Sequence, residues 1–522
     1  MKIDKSTDWS IYSVEGIGWQ SVYPKTPYIS PVPGKIPLVG FNPIPDSMKN
    51  LIEKDSNTSK NELLRVMKYT SQCGCNSVIC GGTLGQTKSI LNAVSDLAKG
   101  VLVSDELTPV DKNSESNSTS KPGVLPPPAQ IGGPELGVLI ASELLTGSIT
   151  DSVHLLDSFR DNTFVKGWFI MDEPHYWDWG NVVPEKCIND EYNRLTLGFK
   201  TALMYGKGIS QEEFNKVGEA EQQTLFTLPA SNHQKWLGTC KTYKEYLEVI
   251  NLLFHPSLWA YKYFPVTVAD KTFISPSDKF INHSAFYTYL SMYRAISTQT
   301  GTTFWACCQA NSLKVIDWTG SGETKCYPIP DLSMLRFSAF SALAYGAQGL
   351  IYTRLGTPNP TKTTTEEVEP IKAAFDYDAK KGIVVKNDDI FNAIKTVNKE
   401  IEECSDVFLG SVCELIEHSG ELYSDTSLEF PFGCIENMTY SGKGTLCARL
   451  KKDKRKFVVL VNHEVYASQK LIITISAKYK IVWQYATPDG DIVHGIKDNK
   501  FYVDMAPGGV AIFEYENNYQ VS

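Results

Sequence analysis

The strongest constraint in this sequence is a rhythm: short apolar runs alternate with longer stretches whose apolar residues recur at helical spacing. The run Ile-Pro-Leu-Val-Gly-Phe-Asn from Ile36 reads as a short buried strand, and 47–72 carries Met48, Leu51, Ile52, Leu63, Leu64 and Met67 at helical spacing. A strand over 76–80, a helix over 87–99 and a strand over 101–104 follow. Such alternation implies a parallel α/β sheet, because each parallel pair needs a crossover connection. The stretch 111–134, rich in Ser, Asn, Pro and Gly, reads as a long exposed loop. On its two sides stand the similar runs Gly100-Val-Leu-Val-Ser-Asp-Glu-Leu and Gly137-Val-Leu-Ile-Ala-Ser-Glu-Leu, and either can supply the third core strand.

The rhythm continues with a helix over 152–160 and a strand over 164–171, and resumes after a polar, helix-rich insertion. There the strands are 224–228, 258–263, 303–308 and 349–352, and the helices 243–254, 285–298 and 333–345. One strand each near 36, 76, 101 or 137, 164, 224, 258, 303 and 349 makes eight, the number that closes a (β/α)8 TIM barrel. A helix over 390–404 ends it. Beyond about residue 405 come short runs such as 456–462, 470–476, 479–483 and 509–515, separated by turn residues such as Asp489-Gly490 and Pro507-Gly508-Gly509. They read as a small all-β sandwich domain, with Phe457, Val459 and Val461 on one buried sheet face that packs on the barrel. The expected organisation is an N-terminal extension over 1–35, a barrel over 36–404 and a β-sandwich over 405–522.

Composition narrows the partners. Of 522 residues, 42% are hydrophobic and 21% charged, which excludes a disordered, collagen-like or coiled-coil chain. The net charge of -9, with no dense Lys/Arg block, argues against nucleic acid or an anionic membrane as principal partner. No apolar run approaches the roughly 20 residues that span a bilayer, so membrane insertion is not expected. The first six residues are polar or charged apart from Met1 and Ile3, where a secretory signal would place its apolar segment. The protein is therefore expected to be cytoplasmic, or secreted or periplasmic if a signal has been removed. The twelve cysteines show no CxxC spacing, and positions such as Cys73, Cys75, Cys307 and Cys308 suit small buried hydrophobes. His175, His233 and His283 are scattered, so no metal site is expected; Cys80-Gly-Gly-Thr-Leu-Gly85 lacks both the dinucleotide fingerprint and a P-loop lysine, so no cofactor is expected either.

Chemistry in a barrel of this kind sits at the C-terminal ends of the strands. Gly167-Trp-Phe-Ile-Met-Asp-Glu-Pro174 delivers two adjacent carboxylates, Asp172 and Glu173, at the end of the fourth strand. Side chains alternate along a strand, so Glu173 is expected to face the pocket with Asp172 in its support. Such an acid can protonate a glycosidic oxygen if its surroundings raise its pKa; capping of the following loop or helix is the structural alternative. His175, Tyr176, Trp177, Trp259, Tyr263 and Trp305 supply rings suited to sugar faces, though each ring by itself also suits a core. Gln309, Tyr352 and Arg354 complete the candidate substrate contacts. Arg336 and Arg354 can also pair with an acid to hold the barrel mouth, and for Arg336, at a helix start, the structural role is the better account.

Several segments carry a resemblance. Gly-Trp-Phe-Ile-Met-Asp-Glu-Pro, Tyr-Pro-Ile-Pro over 327–330, and Leu335-Arg336 running into Leu343-Ala-Tyr-Gly-Ala-Gln-Gly-Leu-Ile-Tyr352 resemble bacterial barrel glycoside hydrolases of glycan degradation. These are similar to the broad retaining clan that includes barrel β-galactosidases and glucanases. The likeness continues through 391–409, Val459-Leu-Val-Asn462 and Ala506-Pro-Gly-Gly-Val-Ala-Ile-Phe513, and so covers most of 36–515. It implies a general acid/base at Glu173, with Asp172 where the clan usually has asparagine.

The chain departs from the clan where the nucleophile belongs. A glutamate is expected at the end of the seventh strand, but Thr303-Phe-Trp-Ala-Cys-Cys-Gln-Ala-Asn311 offers only Gln309 and Asn311, and an amide cannot attack an anomeric carbon as a carboxylate does. At the sixth strand, Lys262-Tyr-Phe-Pro265 stands where relatives carry Asp-x-Tyr-Pro. Asp317 and Glu323 are the first candidates for a second catalytic carboxylate, followed by Glu106, Asp46 and the Glu366-Glu367 pair. The expected function is hydrolysis of an O-glycosidic bond in a poly- or oligosaccharide, with a carbohydrate-binding protein on a degenerate barrel as the alternative.

Overall fold

The computed structural model describes residues 32–52, 57–80, 84–101, 103, 136–141, 159, 162–169, 287, 290–291, 294, 304–316, 324–327, 329–358, 372–420, 428–495 and 499–518. Among the described residues, the region up to Thr353 is organised on a six-stranded parallel sheet. The strands are β1 (Leu38–Phe41), β2 (Ser77–Cys80), β3 (Gly137–Ala141), β4 (Val165–Phe169), β5 (Ala306–Gln309) and β8 (Leu350–Thr353), in the order β4-β3-β2-β1-β8-β5. Helices α1 (Asp46–Ile52), α2 (Asn57–Gln72) and α3 (Leu84–Ala98) fill the first connections. The strands expected near 224 and 258, and most of the helix over 152–160, lie outside the described residues.

The third core strand is Gly137–Ala141, which pairs with β2 from Ser77↔Gly137 to Cys80↔Ile140. The strand expected over 101–104 is corrected by this: Val101 and Val103 join no described ladder. Gly100, with φ of 73°, turns the chain out of α3, and the Val101 N–H bonds back to the Asp96 carbonyl. Two hairpins escape the sequence reading, β6 (Leu313–Ile316) with β7 (Thr324–Tyr327) and β9 (Phe375–Asp378) with β10 (Ile383–Lys386). The second is anchored to α2 through Glu62, whose carboxylate accepts from Val384 N at 2.6 Å and Arg65 Nε at 3.0 Å.

Two helices then join the halves of the chain. Helix α4 (Leu332–Ala344) is capped by Asp331, whose side chain accepts from Met334 N, and is buried at every position from Met334 to Ala344. A helix apolar all round must be enclosed, and this one lies between β5 and the C-terminal strands. Helix α5 (Asp388–Phe408) packs beside it with Ile390, Ile394, Val397 and Ile401 inward. Arg336 of α4 makes a bidentate bond to Glu400 of α5, the shortest contact 2.5 Å, and reaches Asp489 of the C-terminal region at 2.8 Å. The guanidinium, held charged by these two carboxylates against the cost of burial, is thus a structural clamp.

The C-terminal region contains two antiparallel sheets. One has β11 (Val412–His418), β13 (Thr445–Lys452), β14 (Arg455–Asn462), β19 (Val510–Asn517) and β16 (Tyr479–Ala486) in that order. The other has β12 (Ile435–Tyr440), β15 (Gln469–Ile475), β18 (Lys500–Met505) and β17 (Asp491–His494). Val458, Leu460 and Phe513 of the first meet Ile435, Leu471, Ile473 and Val503 of the second in one apolar cluster, the arrangement of a sandwich. Phe457, Val459 and Val461 belong instead to the large cluster shared with the parallel sheet and α4. Strand β14 is therefore buried on both faces, where the sequence reading expected one.

Candidate functional site

The described part of the candidate site lies where β1, β5 and β8 end. The ladder between β1 and β8 continues past both strands, with Leu355 N bonded to Phe41 O at 3.1 Å and Gly356 N to Asn42 O at 3.0 Å. A Cβ at Gly356 would stand 2.5 Å from the Ile44 carbonyl carbon, so only glycine lets these two loops touch. Their closeness brings Arg354 to Asp46 at the start of α1: Nη2 lies 2.6 Å from Oδ1, and Lys49 reaches the same oxygen at 3.0 Å. The Thr353–Arg354 peptide is cis.

Strand β5 enters the same edge. Asn311 accepts the Arg354 backbone N–H on Oδ1 at 2.8 Å and donates from Nδ2 to Ser312 O at 2.7 Å. Gln309 is buried and donates from Nε2 to Asn311 O at 2.6 Å. Asn311 thus stitches the β5 and β8 loops, and Gln309 braces the turn that carries it. Ser312 extends the seam, bonding Lys372 in both directions through backbone and hydroxyl.

Trp305 and Tyr352 lie in the interior. Trp305 precedes β5, at the other end of the sheet from Arg354, and a Cβ on Gly349 would come within 3 Å of its indole ring; the ring therefore packs flat on that glycine. Tyr352 has no exposed surface and donates to Asn398 Oδ1 of α5 at 2.5 Å, so it faces the helices; burial pushes its hydroxyl pKa well up. By register Gly40 and Cys308 share its face, while Phe41, Gln309 and Thr353 alternate to the other. Asp172, Glu173, His175, Tyr176, Trp177, Trp259, Tyr263, Asp317, Glu323, Glu106, Glu366 and Glu367 lie outside the described residues. Residues flanking two of them are described: Ile316 pairs with Thr324 in the β6–β7 ladder, so Asp317 follows and Glu323 precedes a closed rung.

The structure brings Arg354 together with Asp46, Gln309 and Asn311. The linking roles of Asn311, Ser312, Lys49 and Lys372 were not legible in the sequence. Only the position of Asn311 just past an apolar strand hinted at one. The nine cysteines described are buried and free, and burial raises the thiol of Cys80 to about 12, which fits packing and not nucleophilic attack. Among the described residues no group of three or more His, Cys, Asp or Glu side chains can hold a metal ion, and no helix is long and apolar enough to cross a membrane.

The sequence matches no protein-family model and no curated protein. Among solved structures, the chain is similar to a GH42 β-galactosidase from G. stearothermophilus, with TM-score 0.46 and 8% identity over 94% of this chain and 100% of that one. It is also similar to an α-amylase from H. orenii, with TM-score 0.39 and 12% identity over 92% and 100%. An α-fucosidase from Thermotoga maritima gives TM-score 0.33 and 11% identity over 93% and 97%. Likeness at this level identifies neither family nor activity.

Proposed function

We propose that this chain is a glycoside hydrolase on a (β/α)8 barrel formed by 36–404, with 405–522 as a β-sandwich docked on it, and that Glu173 protonates the leaving glycosidic oxygen with Asp172 in support. The observation that carries the reading is the parallel order β4-β3-β2-β1-β8-β5. Counted as expected strands this is four, three, two, one, eight, seven, the order of neighbouring staves in such a barrel, and the strands expected near 224 and 258 would be the fifth and sixth. The fourth stave, β4, leads straight into Ile170-Met171-Asp172-Glu173. A proton from Glu173 to the bridging oxygen lets the sugar–oxygen bond break as positive charge develops on the sugar ring.

The partner carboxylate is sought in the β6–β7 connection, with Asp317 and Glu323; Asp46 is the weaker candidate because Arg354 and Lys49 already hold it. Carboxyl groups about 5 Å apart give retention, and about 6.5–9.5 Å leaves room for a water and gives inversion.

One observation favours a second reading, a carbohydrate-binding protein on a degenerate barrel. The seventh stave ends on amides: Asn311 joins its loop to that of β8, and Gln309 bonds the Asn311 carbonyl within its own turn. Reducing-sugar release from a panel of poly- and oligosaccharides, run with wild type and Glu173→Gln, separates the two. Hydrolysis that falls by at least about 100-fold in the variant supports the acid role; hydrolysis left unchanged removes Glu173 from it. Calorimetric binding of a sugar with no product released moves the reading to the binding protein.

A further inference from the structure

We propose a carbohydrate-binding platform centred on Trp483 in the C-terminal sheets, separate from the strand ends of the parallel sheet. A bulge between Ile481 and Trp483 resets the alternation of β16, so Trp483 and Tyr485 stand on the same face as Phe457. Their rings are nearly parallel, 11° apart in plane with centroids 6.2 Å apart. Tyr485 is anchored inward, its hydroxyl 3.3 Å from Glu400 O and 3.4 Å from Glu403 Oε2 of α5. Trp483, two residues earlier on the same face, keeps 37% of its surface exposed. The tyrosine fixes the plane of the indole and the indole offers a face to solvent.

What borders that face selects the ligand. Directly across the ladder from Trp483 is Glu514, gripped by Arg455 through Nε and Nη2, both at 2.8 Å. Arg455 lies over the Phe457 ring and also donates from Nη1 to Asp406. Three of the five guanidinium N–H donors are used in these bonds, leaving two for a ligand. An apolar ring face beside planar, rigidly held donors and acceptors matches a pyranose, whose C–H face stacks and whose equatorial hydroxyls point outward. The carboxylates of Glu403, Asp406 and Glu514 are matched by the cations Lys399, Lys452 and Arg455, so the surface around the ring carries no excess charge and suits a neutral sugar. A protein partner is the poorer fit: one indole supplies at most about 250 Å², against about 800 Å² per partner in a stable interface.

The test is affinity electrophoresis of the full chain through gels containing mixed-linkage β-glucan, xylan, galactomannan, dextran or starch. Wild type is expected to be retarded by at least one of them. Trp483→Ala should weaken that retardation about tenfold, and Trp483→Phe, which keeps a ring, should retain most of it. Trp483→Ala should leave any release of reducing sugar from short oligosaccharides as in wild type, which separates the platform from the proposed catalytic centre. An unchanged melting temperature in Trp483→Ala shows that the loss is local. Retardation in no gel, or retardation that Trp483→Ala leaves intact, overturns the proposal. Concentration-dependent sedimentation of wild type that Trp483→Ala abolishes overturns it too, and assigns the ring to a contact between copies.

Discussion

The parallel sheet and the C-terminal sheets follow different directions of pairing, yet their innermost strands look alike. Strands β1, β2, β5 and β8 are buried at all four positions, and β14 at six of eight. Strand β15, on the outer sheet, instead alternates buried and exposed along its length. What sets the sequence pattern is therefore whether both faces are covered, and strand direction follows only as a correlate. Helix α4 makes the same point, since it is apolar around its whole circumference where it fills the space between the two regions. The two regions are halves of one core, because Phe457, Val459 and Val461 share a cluster with Val39, Ile351 and Phe337.

The two regions would be separate folding units if the first folded alone. A chain ending at residue 404 loses the strands that cover α4 and leaves Arg336 without Asp489. Stripping several large side chains of their cover costs about 1.5–3 kcal/mol each, which together exceeds the stability of an ordinary domain. The shortened chain is expected to be insoluble or to lack a cooperative melt, as judged by soluble yield and circular dichroism. A soluble, cooperatively melting fragment would show that the regions are independent.

A smaller break is at the clamp. Arg336→Ala strands the Glu400 carboxylate, whose side chain is 2% exposed, and removing one partner of a buried pair costs about 3–5 kcal/mol. Urea unfolding should show that loss, while the double change Arg336→Met with Glu400→Leu should recover much of it. A single variant within about 0.5 kcal/mol of wild type would mean that the pair does not hold α4 to α5.

The seam was partly written in the sequence. Ala344-Tyr-Gly-Ala-Gln-Gly349 and Ala506-Pro-Gly-Gly509 stood out as motifs, and both serve architecture. Gln348 bonds the Gly346, Phe408 and Ser411 carbonyls and accepts from Gly410 N, which joins the turn after α4 to the end of α5. Gly508, with φ of 62°, lies where a Cβ would be 2.1 Å from the Ser333 carbonyl oxygen. Strands and helices were legible because their apolar periodicity is local. The two hairpins were not, since strands such as Phe375–Asp378 lack the unbroken buried apolar run by which the equally short β1, β2, β5 and β8 show themselves. At the candidate site the pairing of Arg354 with Asp46 joins residues 308 positions apart, and only the closure of β1 on β8 brings them together. The choice between the 101–104 and 137–141 runs turned on pairing as well, since both have a strand's composition.

The finest probe of the seam is electrostatic. Asp406, near the end of α5, bonds Lys452 and Arg455 on the first C-terminal sheet, and these bonds hold its carboxyl below the ordinary carboxylate range. A folded-state pKa below the unfolded one contributes stability that is present above about pH 4 and fades as pH falls through the folded value. Asp406→Asn should therefore melt slightly below wild type at neutral pH, and the difference should fade as pH falls through the folded Asp406 value. Because the Asp406 side chain is 67% exposed, solvent screens the pair and the effect should stay under about 1 kcal/mol. Added salt should shrink the gap at pH 7 without moving the low-pH limit. A gap that persisted unchanged into acid would show that the asparagine disturbs packing, and would leave the apolar faces of α4 and β14 as the main tie between the two regions.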